Sequence, residues 1–166
     1  MTRQIVITGL MGVGKTTTAT AVAKRLSLPY RDSDDDIHRL LGRSGRQVAE
    51  QLGVDELHRL EAAVLLGALA SPQQQVITAA ASTVEDPLCR ATMGHTAVTV
   101  VLTAPLDTVI ERMRDGRHRR SIDRAELERI ASRRDPLFNE VADMIVAVDR
   151  PADEVADDIV LFLQRD

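Results

Sequence analysis

Gly9-Leu10-Met11-Gly12-Val13-Gly14-Lys15-Thr16 fits the pattern G-x-x-x-x-G-K-[ST], and its surroundings decide the fold. A short β-branched run, Ile5-Val6-Ile7-Thr8, leads into it, and Lys15 to Leu26, with apolar residues three and four apart, follows. Strand, loop and helix in that order are the context the pattern requires. The glycines let backbone N–H groups turn inward around phosphate oxygens, and the positive end of the following helix adds to their pull. On this reading Gly9, Met11, Gly12, Val13, Gly14, Lys15, Thr16 and Thr17 line a bound polyphosphate. Lys15 reaches its outer phosphates, and the Thr16 hydroxyl holds Mg²⁺. The bland alternative is a glycine-rich turn with an incidental lysine; the agreement of strand, loop, Lys-Thr pair and helix counts against it.

Outward from the loop, short apolar runs alternate with helical periodicity. Val76-Ile77-Thr78, Val98 to Leu102 and Met144 to Val148 read as strands apolar on both faces, with a weaker strand at Pro29 to Arg31. Val54 to Ala70, Leu106 to Arg114 and Ala152 to Leu163 read as helices between them. Such alternation predicts βαβ crossovers around a parallel sheet. Asp34 to Leu52 reads as short helices broken by glycines, and Asp115 to Asp123 as a charged segment without an apolar face, with Gly116 as a hinge for a mobile flap.

Length and composition narrow the function. At 166 residues the chain fits one domain, 1–166. Aromatics make up only 2%, so a base-stacking surface is not available, and a net charge of −4 disfavours a general nucleic-acid binder. The basic cluster Arg112, Arg114, Arg117, Arg119, Arg120 and Arg124 therefore reads as closing over a nucleotide, against the alternatives of a solvated face or an RNA contact. The single cysteine, Cys89, cannot form an internal disulfide and reads as a small core residue in a reducing compartment. The four histidines share no metal-ligand spacing. With no signal-peptide pattern and no apolar span, a cytoplasmic protein without membrane contact is expected.

Seventeen positions after Lys15 comes Asp32-Ser33-Asp34-Asp35-Asp36. Carboxylates at a strand's C-terminal edge sit beside the phosphate loop of an open α/β sheet. Asp32 and Asp34 read as functional, one toward Mg²⁺ and the other toward the attacking hydroxyl. Asp35 and Asp36 read as acids favoured by a helix N-terminus.

Gly9 through Thr18 followed by Asp32-Ser33-Asp34 resembles the shikimate kinase family, and the likeness covers nearly the whole chain. The resemblance implies a three-layer α/β P-loop kinase fold with a five-stranded parallel sheet in the order 2-3-1-4-5, a lid near 114–124 and an acceptor-binding helical region near 33–62. It implies an ATP- and Mg²⁺-dependent transfer of the γ-phosphoryl to a hydroxyl of shikimate or a related polyol or carbocycle, by a monomer. It assigns Thr16 and Asp32 to the metal, Asp34 to the acceptor hydroxyl, Arg119 to the phosphates, Arg112 and Pro151 to the two faces of adenine, and Arg134 to the acceptor's carboxylate.

The chain departs from the family on the acceptor side. Where the family has Gly-Glu-x-x-Phe-Arg-x-x-Glu, the arginine falls on His58, and Arg59 points about 100° away on a helix. Three glycines against the substrate ring become Ala79-Ala80-Ala81, which places Ala80 and Ala81 in the acceptor pocket. The Pro-Leu pair after the lid arginine is replaced by Arg120-Ser121-Ile122. The expectation is a complete kinase machinery with an altered acceptor. A nucleoside or nucleotide kinase, or a non-catalytic ATP-binding relative, remains as an alternative.

Overall fold

A computed structural model describes residues 3–115 and 122–165. Five strands, β1 (Gln4–Gly9), β2 (Tyr30–Asp32), β3 (Val76–Thr78), β4 (Ala97–Thr103) and β5 (Met144–Ala147), form one parallel sheet in the order β2-β3-β1-β4-β5. The expected order is therefore the observed one. Eight helices connect or follow the strands among the described residues: α1 (Lys15–Leu26), α2 (Ser33–Leu41), α3 (Gly45–Leu52), α4 (Val54–Leu69), α5 (Pro87–Thr96), α6 (Leu106–Asp115), α7 (Arg124–Val141) and α8 (Ala152–Leu163). A 3-10 turn at Ala81–Glu85 precedes α5.

Period-2 alternation along β1 sorts its side chains between two cores. Ile5 and Ile7 pack with Val22 of α1, Val100 and Leu102 of β4, and Val155 and Ile159 of α8. Val6 faces the other way, into a cluster of Leu65 of α4, Met93 of α5, Val101 of β4 and Phe138 of α7. Helices thus cover both faces, and β1 at the centre is buried throughout. β5 is an edge strand: Val146 is buried but Ile145 is 52% exposed, so the two-sided apolar reading of that run does not hold. A satellite cluster of Ile37, Val48 and Val64 fastens α2 and α3 to α4.

Two helices, α5 and α7, were not foreseen by periodicity. The signal for α5 is a boundary signal: Asp86 accepts from the Cys89 amide at 2.9 Å, and Pro87 occupies the first helical position, where a missing N–H costs nothing. α7 starts on an Asp123 cap and runs through Pro136, whose ring removes one internal amide donor. Phe138 and Val141 beyond that proline are buried against the sheet, and this burial holds the helix together across it. Cys89 is buried, and burial, reinforced by Asp86, pushes its thiol up to about 12.

Leu65, 1% exposed, joins α4 to the sheet. Leu65→Ala is expected to cost about 2–5 kcal/mol by lost burial and the cavity left behind. Urea denaturation checks this as a fall in midpoint at constant slope.

Candidate active site

All five strands run the same way, so their C-terminal ends share one edge of the sheet, where the phosphate loop leaves β1. Gly9 has φ 143, and a Cβ there would lie 2.4 Å from the Leu102 carbonyl oxygen of β4. Gly12 has φ 75, and its Cβ would lie 2.8 Å from the Met113 side chain of α6. Glycine is thus required at both positions by backbone conformation and by space. Gly14 ends the loop as the N-cap of α1 and brings no side-chain oxygen to the first amides. The side chains of Met11 and Val13 are buried, so only their backbone is available to a ligand. Lys15, also buried, donates from Nζ to the carbonyls of Gly9 at 2.9 Å and Leu10 at 3.0 Å, which places its ammonium inside the loop's curve.

Asp32 stands beside this loop. Its Oδ2 accepts from Thr16 Oγ1 at 3.3 Å, and its Oδ1 accepts from the Asp34 amide at 2.8 Å, capping α2. The register explains the proximity: Ile7 pairs with Thr78 and Thr78 with Asp32 across three adjacent strands. The sequence reading missed Tyr30, whose hydroxyl donates to Asp32 Oδ2 at 2.7 Å and lies 3.0 Å from Thr78 Oγ1. Its signal was available, because residues two apart on a strand share a face. Burial above all raises the Tyr30 hydroxyl far above the usual phenol range, so it remains a donor at any working pH. Asp36 is more than a dipole-favoured acid: it is buried and accepts from Arg31 Nε at 2.6 Å and Arg39 Nη1 at 2.8 Å.

On the other side of the loop a cleft of about 230 Å³ is lined by Gly14, Thr17, Arg112, Val148, Arg150 and Ala152, among others. Arg112 donates to the carbonyls of Val13 at 2.8 Å and Val148 at 3.2 Å, which lays its guanidinium along the cleft wall. Pro151 lies between two lining residues and is the N-cap of α8. Arg124, counted in the basic cluster, pairs with Asp107 and Glu128 instead of facing the loop. Arg117, Arg119 and Arg120, with most of the expected lid, lie outside the described residues. A larger cavity of about 400 Å³ sits between α5 and the end of α7; it contains none of the sequence-predicted residues, and two of its walls, Arg90 and Glu140, pair with each other.

The residues expected from sequence to surround the acceptor lie on α4, the turn after β3, and α7. Ala79, Ala80 and Ala81 are all buried. Ser82 donates to Glu61, which is itself buried. His58 is half-buried, and its pKa is lowered by burial first and then by the charge of Arg134, against the opposing pull of Glu85 and Asp55. A neutral imidazole at pH 7 follows. Arg59 pairs with Glu56 on the outer face of α4, as the helical offset requires. Arg134 is 2% exposed, and its Nε donates to Glu85 Oε1 at 2.5 Å; Arg133 reaches the same oxygen at 3.1 Å. Burial opposes ionisation of Glu85, but the two arginines outweigh it and hold its pKa below the ordinary carboxylate value. Neither Glu85 nor the Ser82–Glu61 contact was singled out from sequence.

Comparison with known proteins completes the picture. The family model for Shikimate kinase matches residues 11–164. A shikimate kinase of Mesorhizobium japonicum is 36% identical over 82% of this chain and 68% of its own length. One of Xylella fastidiosa is 32% identical over 92% of this chain and 86% of its own. Among solved structures, a shikimate kinase from Acinetobacter baumannii in complex with shikimate superposes with a TM-score of 0.90 at 23% identity, covering 99% of this chain and 94% of that one, a likeness of fold.

Two outcomes are expected from this geometry. Tyr30→Phe keeps the ring but removes a donor to Asp32, the carboxylate expected from sequence to hold Mg²⁺, and loss of a hydrogen bond to a metal-ligating group weakens metal binding about 10-fold or more; titrating activity against Mg²⁺ reads the shift, and an unchanged midpoint removes Tyr30 from the site. For His58 the unfolded chain takes up a proton near pH 6.5, while the native state does so only at lower pH. Stability therefore falls as pH drops through about 6.5, until the native group also titrates. Denaturation at pH 7.5 and 5.5 is expected to show a smaller loss for His58→Gln than for the wild type.

Proposed function

The chain belongs to the shikimate kinase family, and from that premise we propose how its residues divide the work of phosphorylating a small hydroxyl-bearing acceptor. It is an ATP- and Mg²⁺-dependent phosphotransferase with an alcohol group as acceptor. The observation that carries the assignment of roles is the single carboxylate of Asp32, which touches Thr16 of the loop with one oxygen and the Asp34 amide with the other. Loop, metal ligands and the second acid are thereby tied into one constellation.

The donor set fits Mg²⁺, a hard cation that takes oxygen ligands and keeps much of its shell as water and phosphate. Thr16 and Asp32 supply a hydroxyl and a carboxylate, and among the described residues no cluster of three or more His, Cys, Asp or Glu competes for a metal. Mg²⁺ held by these two side chains would offset phosphate charge during transfer. Backbone amides of residues 9–16 hold the phosphate chain, and the Lys15 ammonium, positioned by the Gly9 and Leu10 carbonyls, meets the γ-phosphoryl as its charge spreads. Arg119 is the candidate for a second cation there. Arg112 lines the cleft assigned to the adenine, and Pro151 stands between its lining residues Arg150 and Ala152.

Asp34 accepts the proton of the attacking hydroxyl or orients it, with its backbone fixed by Asp32. His58, Ala80, Ala81 and Arg134 shape the acceptor's surroundings. Most of the rate comes from alignment of two bound reactants. Cys89, buried and without a disulfide, suits a reducing cytoplasm; among the described residues no helix is long and apolar enough to cross a membrane. A monomer suffices, since the loop, Asp34, His58 and Arg134 all come from one chain.

A panel of hydroxyl acceptors run with ATP, with product mass read directly, tests the function. Asp34→Asn is expected to lower kcat about 10²–10⁴-fold with little change in KM for ATP. Lys15→Ala is expected to lose at least about 10² in kcat. Full activity in either variant would refute the role assigned to it.

A further inference from the structure

Resting on the kinase reading above, we propose that Glu85 is a positioning residue for the reaction: its carboxylate holds Arg134 by Nε and so presents the two terminal nitrogens of that guanidinium to the carboxylate of the acceptor. Arg134 is 2% exposed, and its Nε donates to Glu85 Oε1 at 2.5 Å. Among the described residues nothing accepts from its Nη1 or Nη2, and neither is a sealed atom, because the one enclosed side-chain nitrogen or oxygen without a partner there is Thr99 Oγ1. Both terminal nitrogens therefore remain open to a ligand. A planar guanidinium grips a carboxylate in two parallel bonds, either along the edge that carries Nε or across the end formed by Nη1 and Nη2. With Nε taken, the end is the grip that remains.

Glu85 is placed to do this because the turn that carries it is clamped along its length. Ser82 donates to Glu61, Thr83 Oγ1 to the Ala80 carbonyl at 2.7 Å and Arg90 Nη1 to the Val84 carbonyl at 2.8 Å, and the next residue, Asp86, caps α5. A supporting side chain on so fixed a backbone holds its partner in one geometry. The charges agree. Arg134 and Arg133 keep the Glu85 carboxyl ionised, and Arg133 Nη2 reaches the same oxygen at 3.1 Å. Two guanidiniums thus face one carboxylate, and a net positive charge is left for an anionic acceptor. His58, which faces both arginines as well as Glu85 and Asp55, is neutral at pH 7, and Arg59 is turned outward onto Glu56. With no arginine at position 58, the grip on the acceptor's carboxylate rests on Arg134, whose orientation then matters more. Ordering a loose arginine at the moment of binding weakens affinity, and Glu85 orders it beforehand.

Two variants separate placement from charge. Glu85→Asp keeps the charge but withdraws the oxygen by one carbon–carbon bond, whereas Glu85→Gln keeps an oxygen in place and removes the charge. Positioning predicts that Glu85→Asp raises KM for shikimate about tenfold, the scale of one charge-assisted contact, with KM for ATP little changed, and that Glu85→Gln raises it several-fold less. A Glu85 that only repels the incoming anion predicts the reverse: no change with Glu85→Asp and tighter binding with Glu85→Gln. KM for shikimate unchanged in Glu85→Asp, or raised as much in Glu85→Gln, overturns the proposal. Shikimate methyl ester carries the same ring hydroxyls without the charge, and calorimetry with Mg·ADP compares the two ligands. Glu85→Asp is expected to weaken the ester several-fold less than shikimate; equal weakening marks a disturbed pocket and also overturns it. Should Glu85→Asp fail to fold, the NMR signal of the wild-type Arg134 Nε–H, assigned by its loss in Arg134→Lys, decides: it is expected to stay in place on saturation with shikimate, and its displacement counts against the proposal. Absence of Lys15-dependent transfer to shikimate by the wild type sinks the kinase reading and this inference with it, whereas Lys15-dependent transfer indifferent to Glu85→Asp sinks the inference alone.

Discussion

The tightest constraint in the molecule is the passage of the phosphate loop between β4 and α6. At Gly9 the backbone is so near the Leu102 carbonyl that a methyl group would overlap it, and at Gly12 the side chain of Met113 fills the space a methyl would take. Backbone carbonyls cannot move without moving a strand, so the loop has one path. That path fixes where α1 begins, and hence where Lys15 and Thr16 project. The Lys15 ammonium then bonds the carbonyls of Gly9 and Leu10, closing the curve from within. Because Ile7, Thr78 and Asp32 lie in register across three strands, the same constraint sets the distance from the loop to the acid that meets it.

This explains why one half of the site was legible in the sequence and the other only in part. A nucleotide site made of backbone amides depends on residues that lack side chains, and a spacing of glycines followed by Lys-Thr records that requirement directly. Apart from the weaker run at β2, the strands and the α1, α4, α6 and α8 stretches were also legible, since each carries apolar residues at its own period. What escaped were α5 and α7. Gly94 and the polar residues of α5 blur its period, and α7 carries Pro136 in its middle; both are held by contacts distant in sequence, through Met93 and Phe138 in the core under the sheet. Local pattern cannot report a helix that tertiary burial sustains.

The acceptor side is built from side chains meeting side chains, and here resemblance points to positions but not to pairings. Arg134 was placed on this face by its Arg-x-Pro-Leu-aromatic context, yet nothing in the neighbouring letters says that its guanidinium belongs to Glu85, which is 49 positions away. Ser82 with Glu61 is of the same kind, joining a turn to a helix 21 positions away, whereas Tyr30 with Asp32 follows from the period-2 relation on β2. Asp36 shows the reverse error. An acid in the first turn of a helix has a sufficient local reason to be there, and that reason hid the two arginines it binds.

The chemistry of arginine makes the last point physical. Unlike lysine or histidine, a buried guanidinium cannot relieve its desolvation by giving up a proton, so an anion must accompany it in every state of the protein. Where a ligand provides that anion, the empty site carries an unpaired charge and tends to loosen until the ligand arrives. Here the chain provides one: Glu85 links the turn after β3 to α7, setting one carboxylate against the two guanidiniums of Arg133 and Arg134.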